Sequence, residues 1–199
     1  CDTNGGCFPH EIVDITGEIR KVVGDSLGIH THNDTGMANV NIISAVLTGP
    51  NMVQVTINVL SERLGNADLC TTIPNLQLKL GYACLPTEKM EGITNLSRAY
   101  EDISNAYHNP TQPYVGKNDF THKAGMHIDA VTKSSQSFEH ISPQAVGNKQ
   151  RIILSDIAGR VAILEETRPI VATLSTDQPK ATAKVDEVDR MGIEGSDIE

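Results

Sequence analysis

Short β-branched runs alternate with amphipathic stretches across the first eighty residues, and that alternation most narrows what this chain can become. Residues 9–23 read as a helix, with Pro9 in its first turn and Ile12, Ile15, Ile19 and Val22/Val23 as its apolar stripe. Residues 27–32 read as a strand, 36–47 as a helix stopped by Gly49-Pro50, 52–57 as a second strand and 67–80 as a third helix. Asn66 is well placed to cap that third helix, with Asp68 favourable in its first turn. Strand, helix, strand and helix at these spacings predict repeated βαβ units, hence a parallel sheet covered by helices. Beyond Leu85 the texture changes. Residues 87–106 are expected to form one long amphipathic helix, 109–116 an extended Pro-punctuated connector and 118–160 short mixed elements. From about Ser175 the chain is polar and charged, with a weakly periodic helix expected over 185–191.

Composition bounds the function. A chain of 199 residues with 39% hydrophobic content can bury one core, and 4% aromatics with no Trp leave that core to Ile, Val, Leu and Ala. The net charge of −9 argues against a nucleic-acid surface and supplies no basic anchor for a membrane. No apolar run approaches the roughly 20 residues that span a bilayer, and no signal peptide is visible. Cys1, Cys7, Cys70 and Cys84 have neither zinc-finger spacing nor disulfide-scaffold density, so a reducing, cytoplasmic setting is expected. Cys1 and Cys7 read as incidental thiols. The chain opens on Cys1 without an initiator Met and stops in Gly195-Ser196-Asp197-Ile198-Glu199; both ends are read as cuts through a longer protein.

Three constellations carry candidate chemistry. In Leu27-Gly28-Ile29-His30-Thr31-His32-Asn33-Asp34-Thr35-Gly36, strand alternation puts His30 and His32 on one face at a strand's carboxyl end. Such a pair can hold one metal ion; the plainer reading is two separately hydrogen-bonded histidines. Asn66 falls at the same rim, as a third ligand or as an ordinary helix cap. Imidazole and amide donors suit Mn²⁺, Zn²⁺ or Mg²⁺, but three neutral ligands leave the charge uncompensated, so a carboxylate is required. Asp34 lies past the strand end and suits the turn or a supporting bond, which leaves that carboxylate expected outside the segment. Asp2-Thr3-Asn4-Gly5-Gly6 is the second constellation, a hydroxyl and two glycines that allow close approach of a bound carboxylate, or a simple strand-to-loop turn. Phe120-Thr121-His122-Lys123-Ala124-Gly125-Met126-His127-Ile128-Asp129-Ala130 is the third, with a general acid or base in either histidine; spacing alone does not separate His122 from His127. Glu62-Arg63 reads as an exposed ion pair, Tyr114 and Phe138 as packing residues, and Gly116, Gly147 and Gly159 as turn markers.

These pieces in this order resemble the α-isopropylmalate, homocitrate and citramalate synthases, Claisen-type acyltransferases built on a TIM barrel. The resemblance runs from Cys1 to about Arg160. His30-Thr31-His32-Asn33-Asp34-Thr35-Gly36 is similar to the family's metal signature, Glu62-Arg63-Leu64-Gly65-Asn66 to its glycine-rich GER loop, and the Lys123 to Ala130 stretch to its linker histidine motif. Asp2-Thr3-Asn4-Gly5-Gly6 and Pro113-Tyr114-Val115-Gly116 look most like the citramalate branch. The resemblance implies that His30, His32 and Asn66 bind a divalent metal, with Asp34 and Glu62 as supporting residues around it. It implies further that Thr3 holds a 2-oxo acid carboxylate, and that His127 is catalytic and reaches the partner subunit's site in a homodimer. Acetyl-CoA and pyruvate are the implied substrates and (R)-citramalate the product. The family loop carries glycines where this chain has Val59 and Ser61, which restricts close backbone approach there. Val161-Ala162 replaces a more polar pair.

The expected architecture is therefore α/β, the last three βα units of a (β/α)₈ barrel over residues 1–84, then mostly helical linker subdomains over 85–173 and a polar hinge over 174–199. The early-strand Arg-Asp-Glu signature, whose Asp is the family's carboxylate ligand, is not in this sequence, so the segment alone is expected to be inactive. The alternatives are a 2-isopropylmalate synthase, a related aldolase or lyase, and a non-catalytic metal-binding remnant.

Overall fold

Residues 1–122, 134 and 138–153 are described by the computed structural model, and they divide into two compact units. The first comprises Cys1–Asn109 with Pro113–Gly116; the second comprises Pro110–Gln112 with Lys117–Glu199.

In the first unit, helix α1 (Pro9–Val23) starts where predicted, with Pro9 at its first position and the Glu11 carboxylate accepting from the Phe8 amide at 2.8 Å. Strand β1 (Gly28–His30) leads into α2 (Ala38–Thr48), and β2 (Met52–Gln54) pairs with β1 in parallel, Ile29 opposite Val53 and His30 opposite Gln54. Parallel pairing follows because α2 returns the chain to the same end of the sheet. The strand-helix alternation is therefore present, as a two-stranded sheet extended by isolated bridges. Both strands end before their β-branched runs do: residues 57–59 turn into a 3₁₀ helix.

Ile29 and the partly buried Val53 and Val55 pack against Ala38, Ile42 and Ala45 of α2, with Ile12 and Ala67 completing the cluster. Small residues on α2 let helix and sheet approach closely. The stripe expected on α1 is only partly used. Ile12 and Thr16 are buried, whereas Ile15 is 50%, Ile19 43% and Val22 85% exposed.

Two helices differ from expectation for identifiable reasons. Asp68, not Asn66, caps α3 (Leu69–Pro74): its Oδ1 accepts from the Cys70 amide at 3.1 Å and its Oδ2 from the Thr71 hydroxyl at 2.7 Å. Pro74 has no amide proton and its ring crowds the preceding turn, so the helix widens into a π-turn over Asn75–Lys79. The long helix expected over 87–106 is two, α4 (Thr87–Met90) and α5 (Ile93–Ser104), separated at Glu91-Gly92. Asn105 then stops α5 in the left-handed conformation, at φ 52°. Both helices belong to the first unit. Tyr114 packs as expected, 4% exposed, with its hydroxyl donating to Asn75 Oδ1 at 2.9 Å.

In the second unit β3 (Thr121–His122) and β4 (Arg151–Ile152) pair in parallel, and Phe120 and Val146 are buried. Phe138, expected to pack, is half-exposed, and Gly147 ends a 3₁₀ turn at φ 69° as a turn glycine should. Among the described residues no helix is long and apolar enough to cross a membrane, and all four cysteines are free.

Two measurements follow. Asp68→Ala removes a cap that is 1% exposed and also accepts from the Asn58 amide, so it is expected to lower stability by about 1–2 kcal/mol in urea unfolding. His108 sits on the Glu101 carboxylate and reaches Asp102 at 3.1 Å, and Glu101 raises its pKa above the usual 6.5. A raised folded-state pKa stabilises below the unfolded value and is lost as pH rises through the folded one. Thermal melts across about pH 5–8 should therefore show wild type losing more stability with rising pH than His108→Gln.

Candidate metal centre

The chain between β1 and α2 is hydrogen-bonded on both sides. The Asp2 amide donates to the His30 carbonyl at 2.9 Å and the His32 amide to the Asp2 carbonyl at 3.1 Å, while the Ala67 amide donates to the Thr31 carbonyl at 3.1 Å. Asp2 thus bridges to Thr31 in parallel, and His32 bridges to Asn66 in antiparallel sense. Thr31 is fully buried on the helix side, its hydroxyl donating to the Ala38 carbonyl at 3.0 Å. Alternation then turns His30 and His32 to the opposite face. Their rings meet edge to face, centroids 5.2 Å apart. The bridge also places Asn66 beside His32, because directly opposed residues share a face.

His30 Nδ1, His32 Nδ1 and Asn66 Oδ1 are all buried and have no hydrogen-bond partner among the described residues. Buried polar atoms are nearly always paired, so three orphans on alternate and bridged positions of one sheet face require an explanation. Each can present a lone pair, and two imidazoles with an amide oxygen form a donor set suited to a divalent cation of borderline to hard character. The residues present fit such an ion. The cap role expected for Asn66 falls to Asp68, which leaves the Asn66 amide oxygen uncommitted.

Other predicted residues are placed as follows. Thr3 is exposed one position after Asp2, and its carbonyl accepts from Arg63 Nη2 at 2.9 Å. Asp34 does not approach the imidazoles as a free carboxylate: Arg63 Nε and Nη2 hold its two oxygens at 2.8 and 2.9 Å, and that guanidinium lowers its pKa. Arg63 therefore pairs with Asp34 rather than with its neighbour Glu62, which is exposed. His127 lies outside the described residues, as do Val161-Ala162, Gly159 and the polar stretch from 174. His122 is buried in the second unit, its Nε2 3.3 Å from Glu139 Oε1. Among the described residues no group of three or more His, Cys, Asp or Glu is arranged to hold a metal, consistent with two imidazoles whose third donor is an amide.

The loop carrying Asn66 is conformationally costly. Asn58, Val59 and Arg63 have φ values of 53°, 66° and 57°. Gly65, at φ 82°, packs so tightly that an added Cβ would lie 1.6 Å from the Val59 carbonyl oxygen. The close approach that Val59 was expected to restrict is made nonetheless: the Asn66 amide donates to the Val59 carbonyl at 3.2 Å. The cost appears as a β-branched residue in left-handed backbone. Asn58, which sequence reasoning missed, anchors the loop, its Oδ1 accepting from Ser97 Oγ at 2.9 Å and Cys70 Sγ at 3.5 Å. Burial pushes the Cys70 thiol up to about 12, so it stays protonated and can donate. The local sequence does not announce the distant partners of Arg63 and Asn58, since Arg63 reaches Asp34 across 29 residues and Asn58 reaches Ser97 across 39.

Residues 1–99 match the HMGL-like family model, and residues 114–191 match the model described as homocitrate synthase post-HMGL domain-like. The chain is 41% identical over its whole length to an (R)-citramalate synthase from Aquifex aeolicus, covering 38% of that relative. It is 43% identical to an (R)-citramalate synthase from Synechocystis sp. across 90% of this chain and 34% of the relative. A probable 2-isopropylmalate synthase from Methanopyrus kandleri is 35% identical across 89% of this chain and 35% of the relative. The chain thus spans less than two fifths of the length of these curated relatives.

Val59→Gly tests the strain in the loop. Left-handed backbone costs a β-branched residue about 1–2 kcal/mol, whereas glycine adds about 0.5–1 kcal/mol of unfolded-state entropy. The variant is expected to be more stable by up to about 1 kcal/mol, seen as a higher urea midpoint at unchanged slope.

Proposed function

Because the chain belongs to the HMGL-like family, in the company of citramalate, isopropylmalate and homocitrate synthases, we propose that it supplies part of the active site of an acyltransferase. The reaction is condensation of acetyl-CoA with a 2-oxo acid, pyruvate giving (R)-citramalate, coenzyme A leaving after thioester hydrolysis. One observation carries this reading: His30 Nδ1, His32 Nδ1 and Asn66 Oδ1 are unpartnered among the described residues and come from alternate and bridged positions at the carboxyl end of a parallel strand. That end is where barrel enzymes of the α/β class keep their chemistry, and the proposed frame is the last three βα units of a (β/α)₈ barrel.

In this reading His30, His32 and Asn66 hold a divalent ion, Mn²⁺, Mg²⁺ or Zn²⁺. When bound, such an ion supplies Lewis acidity toward the keto oxygen of a chelating 2-oxo acid. Thr3 follows Asp2, which bridges to Thr31, and its hydroxyl is the donor to the substrate carboxylate in this reading. The Asp34 carboxylate, held by Arg63, and Glu62 support the loops around the site. His127 acts as a proton donor or acceptor, contributed across a homodimer. In this reading the metal's carboxylate ligand is contributed by a residue other than these 199, so the 199-residue chain by itself is not expected to turn over. The wider attributions are a cytoplasmic enzyme of isoleucine biosynthesis and a division into catalytic segment 1–84, linker 85–173 and hinge 174–199. Isopropylmalate synthesis is the second reading, favoured by the similarity to relatives of that name.

Calorimetric titration of Mn²⁺ separates these readings. Wild type is expected to bind, and His30→Ala/His32→Ala to bind at least about 100-fold more weakly. Failure of the whole protein, which would bring the carboxylate ligand, to bind overturns the metal reading in favour of a structural remnant. Thiol release from acetyl-CoA by the isolated chain at the ~1–10³ s⁻¹ of ordinary enzymes overturns its dependence on further residues. In the whole protein, faster release with pyruvate than with 2-oxoisovalerate supports citramalate synthesis, and the reverse order supports isopropylmalate synthesis.

A further inference from the structure

Arg63 joins three loops at one point. Its Nε and Nη2 donate to the two oxygens of Asp34 at 2.8 and 2.9 Å, and the same Nη2 donates to the Thr3 carbonyl at 2.9 Å. A planar guanidinium can serve a carboxylate fork and a third acceptor together; a lysine ammonium cannot reproduce that geometry. The backbone is shaped around this contact. Arg63 itself lies at φ 57°. Gly5 lies at φ 66°, where a Cβ would stand 2.4 Å from Asp34 Oδ2. The Thr35 amide and hydroxyl donate to the Gly5 carbonyl at 3.2 and 2.8 Å, and the Asn33 amide donates to the Gly65 carbonyl at 2.8 Å.

Each loop carries one element of the candidate site. Thr3 stands in the first, His32 leads into the second, and Asn66 follows Arg63 by three residues in the third. An isolated exposed ion pair contributes little, and these side chains are 44% and 25% exposed. The additional bond to the Thr3 carbonyl and the absence of room at Gly5 make this pair a clasp between loops. We infer that Arg63 is a positioning residue: through Asp34 and the Thr3 carbonyl it sets where Thr3 and Asn66 stand relative to His30 and His32, and holds the left-handed 58–63 loop in place. The link to ligand binding rests on the metal reading above, whereas the clasp itself does not.

Two measurements on the wild-type chain, Arg63→Ala, Arg63→Lys and Asp34→Ala keep those parts separate. Amide exchange followed by NMR should accelerate at least about tenfold at Asn33 and Thr35 in both alanine variants, with α2 amides unchanged. Mn²⁺ affinity should fall by about 10–100-fold in Arg63→Ala, with part of it restored in Arg63→Lys, which keeps the charge but not the fork. Unchanged exchange at Asn33 and Thr35 overturns the clasp. Faster exchange spread equally through α2 overturns it too, since that reports loss of global stability alone. Unchanged Mn²⁺ affinity with opened loops overturns the positioning role. Absence of Mn²⁺ binding in wild type counts against the metal reading, and the clasp then stands or falls on exchange.

Discussion

Backbone pairing on both sides of residues 30–33 is the constraint on which the rest of the first unit depends. Asp2 takes one edge through His30 and His32, and the 65–67 segment takes the other through Thr31 and Asn33. This double edge fixes which way each side chain points. Thr31 turns inward to the α2 backbone and disappears from solvent, and its two flanking imidazoles are forced to the other face. A one-residue slip would bury both histidines against Ala38 and Ile42 and expose Thr31, which the apolar cluster forbids.

Three carboxylates of the first unit are already engaged. Asp34 is held by Arg63, Asp68 caps α3 and accepts from Asn58 and Thr71, and Glu101 is paired with His108. In contrast, the three neutral donors on the imidazole face have no partner among the described residues. Unpaired buried polar groups are costly, so a fold that tolerates three together is organised for something that supplies the missing interaction. The strained 58–63 loop is consistent with this: backbone strain persists only where surrounding contacts over-determine it, and Asn58, Arg63 and Gly65 provide those contacts.

Much of the frame was legible because it depends on local periodicity. Helix α1 has the limits that Pro9 and Gly24 predict, α2 stops at Gly49, and β1 and β2 fall inside the β-branched runs. The departures have non-local causes. Ile15, Ile19 and Val22 read as buried because periodicity reports an apolar face and not whether anything in the described structure covers it. Pro74 sat inside an apparently continuous helix, and the π-turn that accommodates it depends on how the following carbonyls find partners. Asn66 was expected to cap the third helix, with Asp68 in its first turn. Asp68 won because the Asn66 backbone was already committed to the Val59 carbonyl and to the bridge with His32.

By itself, then, the sequence determined the alternation of strands and helices, the shared face of His30 and His32, and the family to which the chain belongs. The first two follow from periods of two and 3.6, short-range properties of the chain, and the family from the likeness of its motifs to those of known relatives. Only the tertiary structure decided that Asn66 stands opposite His32 and that Arg63 reaches back 29 residues to Asp34 and 60 to Thr3. It alone left His30 Nδ1, His32 Nδ1 and Asn66 Oδ1 without partners among the described residues. Pairing register and side-chain reach across folded loops are set by which backbone groups remain unsatisfied once the core has packed, and no local pattern encodes that.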